Sequence, residues 1–405
     1  MTIGSPLKKH ILFVDGIRAV AALFVVVHHA VLQRFSPDNI SSLTGIKKVS
    51  VQFFFQGHLA VDFFIVISGF SLMLSVVANN YTFKQGMWGF YTRRALRILP
   101  PYYFAMLFSL LMIYFFIGQK TGTHWDISLP VNTADIATHI ALVHDFFVSH
   151  VSKINHAFWS IAVECRIYLL FPLLLFMWRK TNALVILAAC VAAVFAMFAL
   201  LSYSKTFYPD IDISGSGVNP YLILFVLGML SADACFSQRA VYSKLTALPW
   251  GWLALACFIL FSAVKIVTKK IDGLSPILTE NTLDVLFGVV AFCVLNACAI
   301  SKKESQAASL LTKVLSWRPL LFIGTFSYTL YLFHAPLIQF LYQYLLLPLH
   351  LSPYSTIVLL ATGGTAVIVA LAYMFYLLCE RPFLRLLKQK KMPDALFEAA
   401  ESPAP

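Results

Sequence analysis

The most informative residues of this chain are titratable side chains that lie inside long apolar segments. Arg18 and His29 share the run DGIRAVAALFVVVHHA and are eleven residues apart. This spacing puts them on roughly the same helical face, about 16 Å apart along the axis. A titratable group at membrane depth is costly and usually functional, and a histidine there suits a general base near neutral pH. The same pattern also fits a hydrogen-bonded core histidine beside an arginine that reaches lipid headgroups.

Further polar residues interrupt other apolar runs. Asp62 lies near the start of VDFFIVISGFSLM, and Ser68 lies deeper in that run, before a glycine. Glu164 lies in WSIAVECRIYLL, and His334 lies in FSYTLYLFHAPL. A carboxylate at such a position can orient or charge a histidine. Each residue also has a structural interpretation: Ser-Gly as a close helix contact, Glu164 in a polar pair, and His334 as a packing residue.

Three arginines precede the third apolar run. Arg93, Arg94 and Arg97 occur in FYTRRALRILPPYY, with i, i+1 and i+4 spacing. A basic segment at a membrane surface usually binds lipid headgroups. It can equally bind the phosphates of a soluble nucleotide, because the guanidinium fork matches phosphate oxygens.

The composition defines the class of protein that must position these groups. The chain has 405 residues, of which 60% are hydrophobic and 12% charged, with a formal net charge of +12. About 25% charged residues are typical of soluble proteins. The composition therefore excludes a soluble enzyme, a disordered chain and a nucleic-acid-binding domain. It predicts an all-α integral membrane protein.

Ten apolar runs are long enough to span a membrane. The ninth contains Pro336, where we expect a kink or a break. The predicted spans are 17–34, 59–79, 100–118, 158–178, 183–203, 219–236, 249–267, 283–300, 319–346 and 355–379.

The distribution of Lys and Arg orients the predicted spans. Both residues are about twice as frequent in the segments that become cytoplasmic when the two termini are cytoplasmic, as the positive-inside rule requires. We therefore predict a polytopic domain over 1–390 and a disordered cytoplasmic tail over 391–405. The longest outside loop, 119–157, is rich in histidine, but the histidine spacings are irregular. A solvated, substrate-binding loop therefore fits better than a metal site, and no metal is expected.

Several blocks of this sequence, in order and spacing, resemble the acyltransferase-3 family of membrane acyltransferases. The resemblance runs from Asp15 to about Phe383. The matching blocks are Asp15-Gly16 with Arg18 and His29; Val61-Asp62 through Ser68-Gly69-Phe70; Arg93-Arg94 with Arg97-Ile98 and Pro100; Trp159-Ser160 with Glu164, Tyr168 and Pro172; Ser327-Tyr328 with Tyr331, His334 and Pro336; and Glu380-Arg381-Pro382.

There are two departures from the family pattern. Cys165 and Arg166 follow Glu164, where the family often has a second acid. We also expect the stand-alone form, without the SGNH hydrolase-like domain that many relatives carry.

The resemblance implies transfer of an acyl group, usually acetyl from acetyl-CoA, to a hydroxyl of a glycan or lipid-linked glycan. Acyl-CoA is then a co-substrate, no cofactor is permanently bound, and the expected location is the bacterial cytoplasmic membrane. His29, Asp62 and Glu164 are the expected catalytic residues, with Glu164 holding the imidazole of His29. We expect the phosphates of acyl-CoA to be bound by Arg18, Arg93, Arg94 and Arg97. We expect the glycan acceptor, or the oxyanion formed on the thioester carbonyl, to be contacted by Trp159, Ser68, Tyr328 and His334.

The sequence leaves several alternatives open. A polytopic exporter of a glycan or lipid would also have about ten spans and a few buried charges. The acceptor can be an O-antigen, an exopolysaccharide, a glycolipid or a small hydroxylated metabolite, and the acyl group can be acetyl or succinyl. Direct transfer and a covalent acyl-histidine intermediate both fit.

Overall fold

The computed structural model describes residues 11–36, 39–204, 206–211, 220–237, 239–268, 271, 276–300 and 306–389. Within these ranges the chain is helical, and one isolated bridge joins Phe147 to Ile211. The predicted tail over 391–405 lies outside the described residues. The α-helices are α1 (Leu12–Leu32), α2 (Gly45–Phe54), α3 (Gly57–Val77), α4 (Gly86–Met112), α5 (Thr133–Ile140), α6 (Trp159–Lys180), α7 (Ala183–Ser204), α8 (Pro220–Phe236), α9 (Trp250–Thr268), α10 (Pro276–Ile300), α11 (Gln306–Leu315), α12 (Arg318–Gly324), α13 (Ser327–Leu341), α14 (Pro353–Leu359), α15 (Thr365–Phe375) and α16 (Arg381–Gln389).

The structure confirms an all-α polytopic membrane protein. In the described ranges, 9 helical segments are long and apolar enough to cross a membrane. The sequence predicted ten spans, and the difference is α8, which has 17 residues. It passes the same test only together with Ala240–Ala247, which is turned by 102° from it, giving up to 10 spans. We call the side of the histidine-rich loop the outer side, following the charge prediction.

Two helical segments differ in extent from the predicted spans. The third span begins at Gly86, so its arginines lie on helix α4 rather than before it. The ninth segment continues through Pro336 and is instead broken between α12 and α13. A proline removes the hydrogen bond to the carbonyl four residues earlier. That carbonyl, of Leu332, accepts a hydrogen bond from Asn155 Nδ2 at 3.1 Å, so the helix passes the proline without a break.

The helices α3 and α8 pack unusually closely. A β-carbon at Gly69 would lie 2.0 Å from the carbonyl oxygen of Phe225, and one at Gly228 would lie 1.9 Å from that of Val66. Only glycine permits this approach, which is typical of small-residue contacts between membrane helices. The contact fixes the rotation of α3 and therefore the direction in which the neighbouring Ser68 points.

The outer loop between α4 and α6 is folded. Helix α5 begins with a capping box in which Asn132 and Asp135 exchange side-chain and backbone hydrogen bonds. His139, His144 and His156 in this loop are buried. The prediction of a solvated loop is therefore wrong for these histidines.

Candidate active site

Three arginines meet at one end of a buried cavity between the spans. Helix α4 presents Arg94 and Arg97 on one face, and α1 adds Arg18; all three line a cavity of about 80 Å³. The guanidinium of Arg18 donates to Asp15 Oδ1 at 3.1 Å and to Ser71 Oγ at 2.9 Å. Two of the arginines thus come from one helix and the third from a neighbour, which makes a compact cationic end suited to phosphate groups.

The four expected donor-binding arginines do not all join this cavity. The Arg94 guanidinium lies over the rings of Phe90 and Tyr168, at 5.9 and 5.6 Å from their centroids. Its Nε is buried without a hydrogen-bond partner in the described part of the chain. Arg93 lies outside the cavity lining and donates to the side chain of Gln85. The basic group on the cavity is therefore Arg18, Arg94 and Arg97.

Glu164 belongs to the same cavity as the arginines. Its Oε1 accepts hydrogen bonds from Ser68 Oγ at 2.8 Å and from the Tyr168 hydroxyl. The expectation that Glu164 holds His29 does not match this arrangement, because the carboxylate is engaged by α3 and by its own helix. Glu164 instead lines the same cavity as the arginines.

The far end of the cavity leads toward the outer side. Ser160 Oγ and the Tyr331 hydroxyl line it and lie 2.7 Å apart. The Tyr331 carbonyl accepts a hydrogen bond from His334 Nδ1 at 2.5 Å. Tyr331 therefore connects the arginine-lined cavity to a group of histidines.

Five histidines form what we call the histidine cluster. Its members come from α1, the outer loop and α13, and His29 is at its centre. Ring centroids of the other four lie 4.6–5.8 Å from that of His29. The cluster consists of His28, His29, His124, His156 and His334.

Within the cluster, His29 is hydrogen-bonded to His156. The distance from His29 Nδ1 to His156 Nε2 is 3.2 Å, and His156 Nδ1 lies 3.1 Å from Ser128 Oγ. Burial and the neighbouring imidazoles hold the pKa of His156 well below its ordinary value. Burial also lowers the pKa of His124. The loop therefore presents neutral imidazoles to His29.

The same cluster has the donor atoms for a metal ion. One ring nitrogen each from His29, His124 and His156 lies within 4.8 Å of the others. Three imidazoles are a ligand set typical of catalytic zinc. The irregular sequence spacing of these histidines argued against a metal site, but the fold brings the three together.

A second cavity opens beside the cluster on the outer side. It measures about 640 Å³, and most of the residues that line it have polar side chains. His124 belongs both to this lining and to the histidine cluster. Gln33, Arg34, Asn39 and Thr123 are among the other lining residues.

Two expected site residues lie elsewhere. Asp62 is fully buried, but it faces away from the cavity, and the charged groups acting on it are Asp284 and Lys265. Trp159 packs its ring on Tyr221, with centroids 5.8 Å apart. Neither lines the arginine cavity.

The proposed oxyanion donors already have acceptors. The Tyr328 hydroxyl donates to the Ile98 carbonyl at 3.1 Å, Ser68 donates to Glu164, and His334 Nδ1 bonds the Tyr331 carbonyl. Ser68 and Tyr328 line the cavity, and His334 lies in the cluster.

Sequence reasoning missed His156, Ser128 and the direct role of Tyr168. His156 stands three residues before the start of α6, so its place at the membrane boundary was a usable signal. Ser128 carried no signal, because its contact with His156 is made by a turn of the outer loop.

The sequence of this chain matches the profile of a known protein family. The family profile described as "Acyltransferase domain" matches residues 11–377, which include both the arginine cavity and the histidine cluster. The chain belongs to the acyltransferase-3 family. It is 25% identical over 354 residues to the peptidoglycan O-acetyltransferase OatA of Listeria monocytogenes, covering 82% of this chain and 50% of that protein.

Two other curated relatives have similar identity and coverage, and both are named as O-acetyltransferases. The chain is 25% identical to the O-acetyltransferase OatA of Staphylococcus aureus, over 82% of this chain and 51% of that protein. It is 24% identical to the putative peptidoglycan O-acetyltransferase YrhL of Bacillus subtilis, over 82% of this chain and 49% of that protein. The chain thus spans about half the length of these relatives. No solved structure matches it.

Proposed function

We propose that this family member is a membrane O-acetyltransferase that moves an acetyl group from cytoplasmic acetyl-CoA to a hydroxyl of an extra-cytoplasmic glycan. The observation that carries the proposal is the cavity with arginines at one end and the histidine cluster beyond the other. The expected location is the bacterial cytoplasmic membrane, with both termini cytoplasmic.

The donor end of the proposal rests on Arg18, Arg94 and Arg97. Positive charge at the predicted cytoplasmic end of the cavity suits the phosphates of a nucleotide thioester. Arg18 and His29 are about 16 Å apart along α1, at 1.5 Å per residue. The extended arm of acyl-CoA would have to cover this distance. The cavity is small compared with acyl-CoA, so only the thin arm would enter it.

The chemical step uses His29 as the general base. A sugar hydroxyl is a weak nucleophile, so a base must remove its proton as its oxygen attacks the thioester carbonyl. The new C–O bond forms, the C–S bond breaks, and the proton on His29 then passes to the thiolate of CoA. Glu164 acts on the arginine side of this step, through Ser68 and Tyr168.

The acceptor end rests on the outer cavity. Its amide, hydroxyl and guanidinium groups suit the hydroxyls of a sugar, and it contains His124 from the cluster. The named substrate of two of the relatives is peptidoglycan. Peptidoglycan therefore joins O-antigen and exopolysaccharide as a candidate acceptor for this chain.

The test is donor-dependent acetylation by the purified full chain in lipid vesicles. Acetyl-CoA labelled in its acetyl group is supplied with each of three acceptors: muropeptides, O-antigen oligosaccharides and exopolysaccharide fragments. We expect label on at least one glycan and equimolar release of CoA, both lost in His29→Ala. Movement of a glycan across the vesicle membrane without consumption of acetyl-CoA would contradict this proposal and support the alternative, a glycan exporter. Transfer that persists in His29→Ala would contradict the assigned base.

A further inference from the structure

We propose that His156 is a positioning residue for His29, and that the hydrogen-bonded chain Ser128–His156–His29 selects the tautomer in which His29 Nε2 is free to accept the acceptor's proton. This inference rests on the proposed function, because it concerns the base of that reaction. It adds a residue from the outer loop that the family resemblance did not include among the site residues.

The first support is a continuous pair of contacts. His29 Nδ1 lies 3.2 Å from His156 Nε2, and His156 Nδ1 lies 3.1 Å from Ser128 Oγ. Ser128 is fully buried and His156 is 6% exposed, so water has little access to the contact between these two residues. His156 uses both of its ring nitrogens in these contacts, Nδ1 toward Ser128 and Nε2 toward His29.

The second support is the tautomer that this chain permits. A neutral imidazole has one N–H donor and one acceptor nitrogen. When His156 Nδ1–H donates to Ser128, His156 Nε2 accepts from His29 Nδ1–H, and the lone pair of His29 remains on Nε2. The hydrogen bond made by one ring nitrogen thus decides what the other nitrogen can do. This is the orienting role that a carboxylate has in a serine–histidine–aspartate triad, here filled by a neutral ring.

The third support is that the backbone around His156 is fixed on both sides. Ile154 N donates to the Ser128 carbonyl at 3.2 Å, which ties the segment that carries His156 to Ser128. The Asn155 side chain donates to the Leu332 carbonyl at 3.1 Å and accepts from Ala157 N at 3.1 Å. The carbonyl freed by the proline of α13 is therefore the anchor for the segment that carries His156.

The proton balance of the step is consistent with this role. The acceptor O–H proton moves to His29 Nε2 as the C–O bond forms, so His29 becomes an imidazolium that still donates from Nδ1 to His156. The C–S bond then breaks, and the proton passes from Nε2 to the CoA sulfur. His156 and Ser128 keep their protons throughout.

The test compares four variants of the full chain in vesicles, with acetyl-CoA and whichever of the three glycan fractions the unmutated chain acetylates. His156→Ala should lower kcat about 100-fold, the size of effect that loss of orientation produces, with KM for acetyl-CoA within about twofold of the unmutated value. His156→Gln should recover most of kcat, because its amide oxygen can accept from His29 Nδ1. Ser128→Ala should lower kcat about three- to tenfold, the effect of losing one neutral hydrogen bond. His350→Ala is the matched control, since His350 is exposed on another loop, and it should leave kcat unchanged.

Each of the other outcomes contradicts either this inference or the proposed function on which it rests. Equal loss in His156→Ala and His156→Gln would assign His156 a purely structural role, and an unchanged kcat in both would remove it from the reaction. Inactivation of the unmutated chain by 1,10-phenanthroline, reversed by zinc, would replace the hydrogen-bonded chain with a metal held by the cluster. Absence of transfer by the unmutated chain to all three glycans would instead count against the proposed function.

Discussion

Two groups of histidines lie on the outer side of this protein, and they differ in burial and in what they adjoin. The histidine cluster around His29 lies between the cavity lined by arginines and the cavity on the outer side. The second group, in the outer loop, is the pair His139 and His144, whose rings stack at 3.8 Å with an angle of 9° between them. The pair is fully buried, and neither ring lines the arginine cavity or the outer cavity.

The comparison shows that burial alone does not make a site. Burial lowers the pKa of His139 to about 4 and, with the neighbouring His139, that of His144 to about 2, so both rings are neutral. His156 is neutral for the same physical reason. The cluster differs because it adjoins two cavities: His334 bonds Tyr331 of the arginine cavity, and His124 lines the outer cavity. We therefore assign catalysis to the cluster and stability of the loop to the pair.

The largest expected effect separates the two groups by activity. His29→Ala should reduce acetyl transfer by about 10²–10⁴-fold, the usual contribution of a general base, with little change in the unfolding temperature. His144→Ala should have the opposite profile, with lower thermal stability but near-normal transfer per folded molecule. Activity assays and thermal unfolding in detergent measure both. The division fails if His144→Ala loses activity while keeping its unfolding temperature.

The next effect tests the connection of the cluster to the arginines. Arg94→Ala should raise KM for acetyl-CoA about tenfold to 100-fold, because a charged hydrogen bond contributes about 1.5–3 kcal/mol. Arg93→Ala is the matched variant on the same helix and should change KM much less, since Arg93 lies outside the cavity lining. Equal effects of the two substitutions would contradict the assignment of the donor end.

The smallest effect concerns the response of the stacked pair to acid. In the unfolded chain a histidine takes up a proton below about pH 6.5, whereas the folded pair resists protonation down to about pH 4 or below. The contribution of the neutral histidine pair to the free energy of unfolding is therefore fully present above about pH 6.5 and is lost as the pH falls. Between pH 7.5 and 5 the loss is on the order of 2 kcal/mol for each ring.

The matched measurement for this effect is the difference between the unmutated chain and His144→Phe. Burial raises the pKa of nearby Asp145 to about 6, which acts in the opposite direction and is common to both proteins. The unmutated chain should lose more stability than the variant on acidification. Parallel pH curves for the two proteins would contradict the prediction.

The sequence predicted the spans well because each needs about 20 apolar residues, a requirement that composition alone reveals. It could not predict the rotation of α3, because the few polar residues of this mostly apolar helix form no single stripe that tells one face from another. Ser68 therefore reached the cavity as expected, whereas Asp62 faces Asp284 and Lys265 instead.

The parts of the site that sequence reasoning missed depend on distant pairings. His29 and His156 are 127 positions apart, and Asn155 and Leu332 are 177 apart. Local spacing has no information about such contacts. The same reason explains the helix through Pro336, because the group that satisfies the freed carbonyl comes from another part of the chain.

The central claim is that donor and acceptor reach one imidazole from opposite faces of the membrane. The most direct measurement uses inside-out bacterial membrane vesicles, with labelled acetyl-CoA added outside and the acceptor glycan trapped in the lumen. We predict labelled glycan in the lumen of vesicles with the unmutated chain and none with His29→Ala. Label that appears only when donor and acceptor are on the same face would contradict the account.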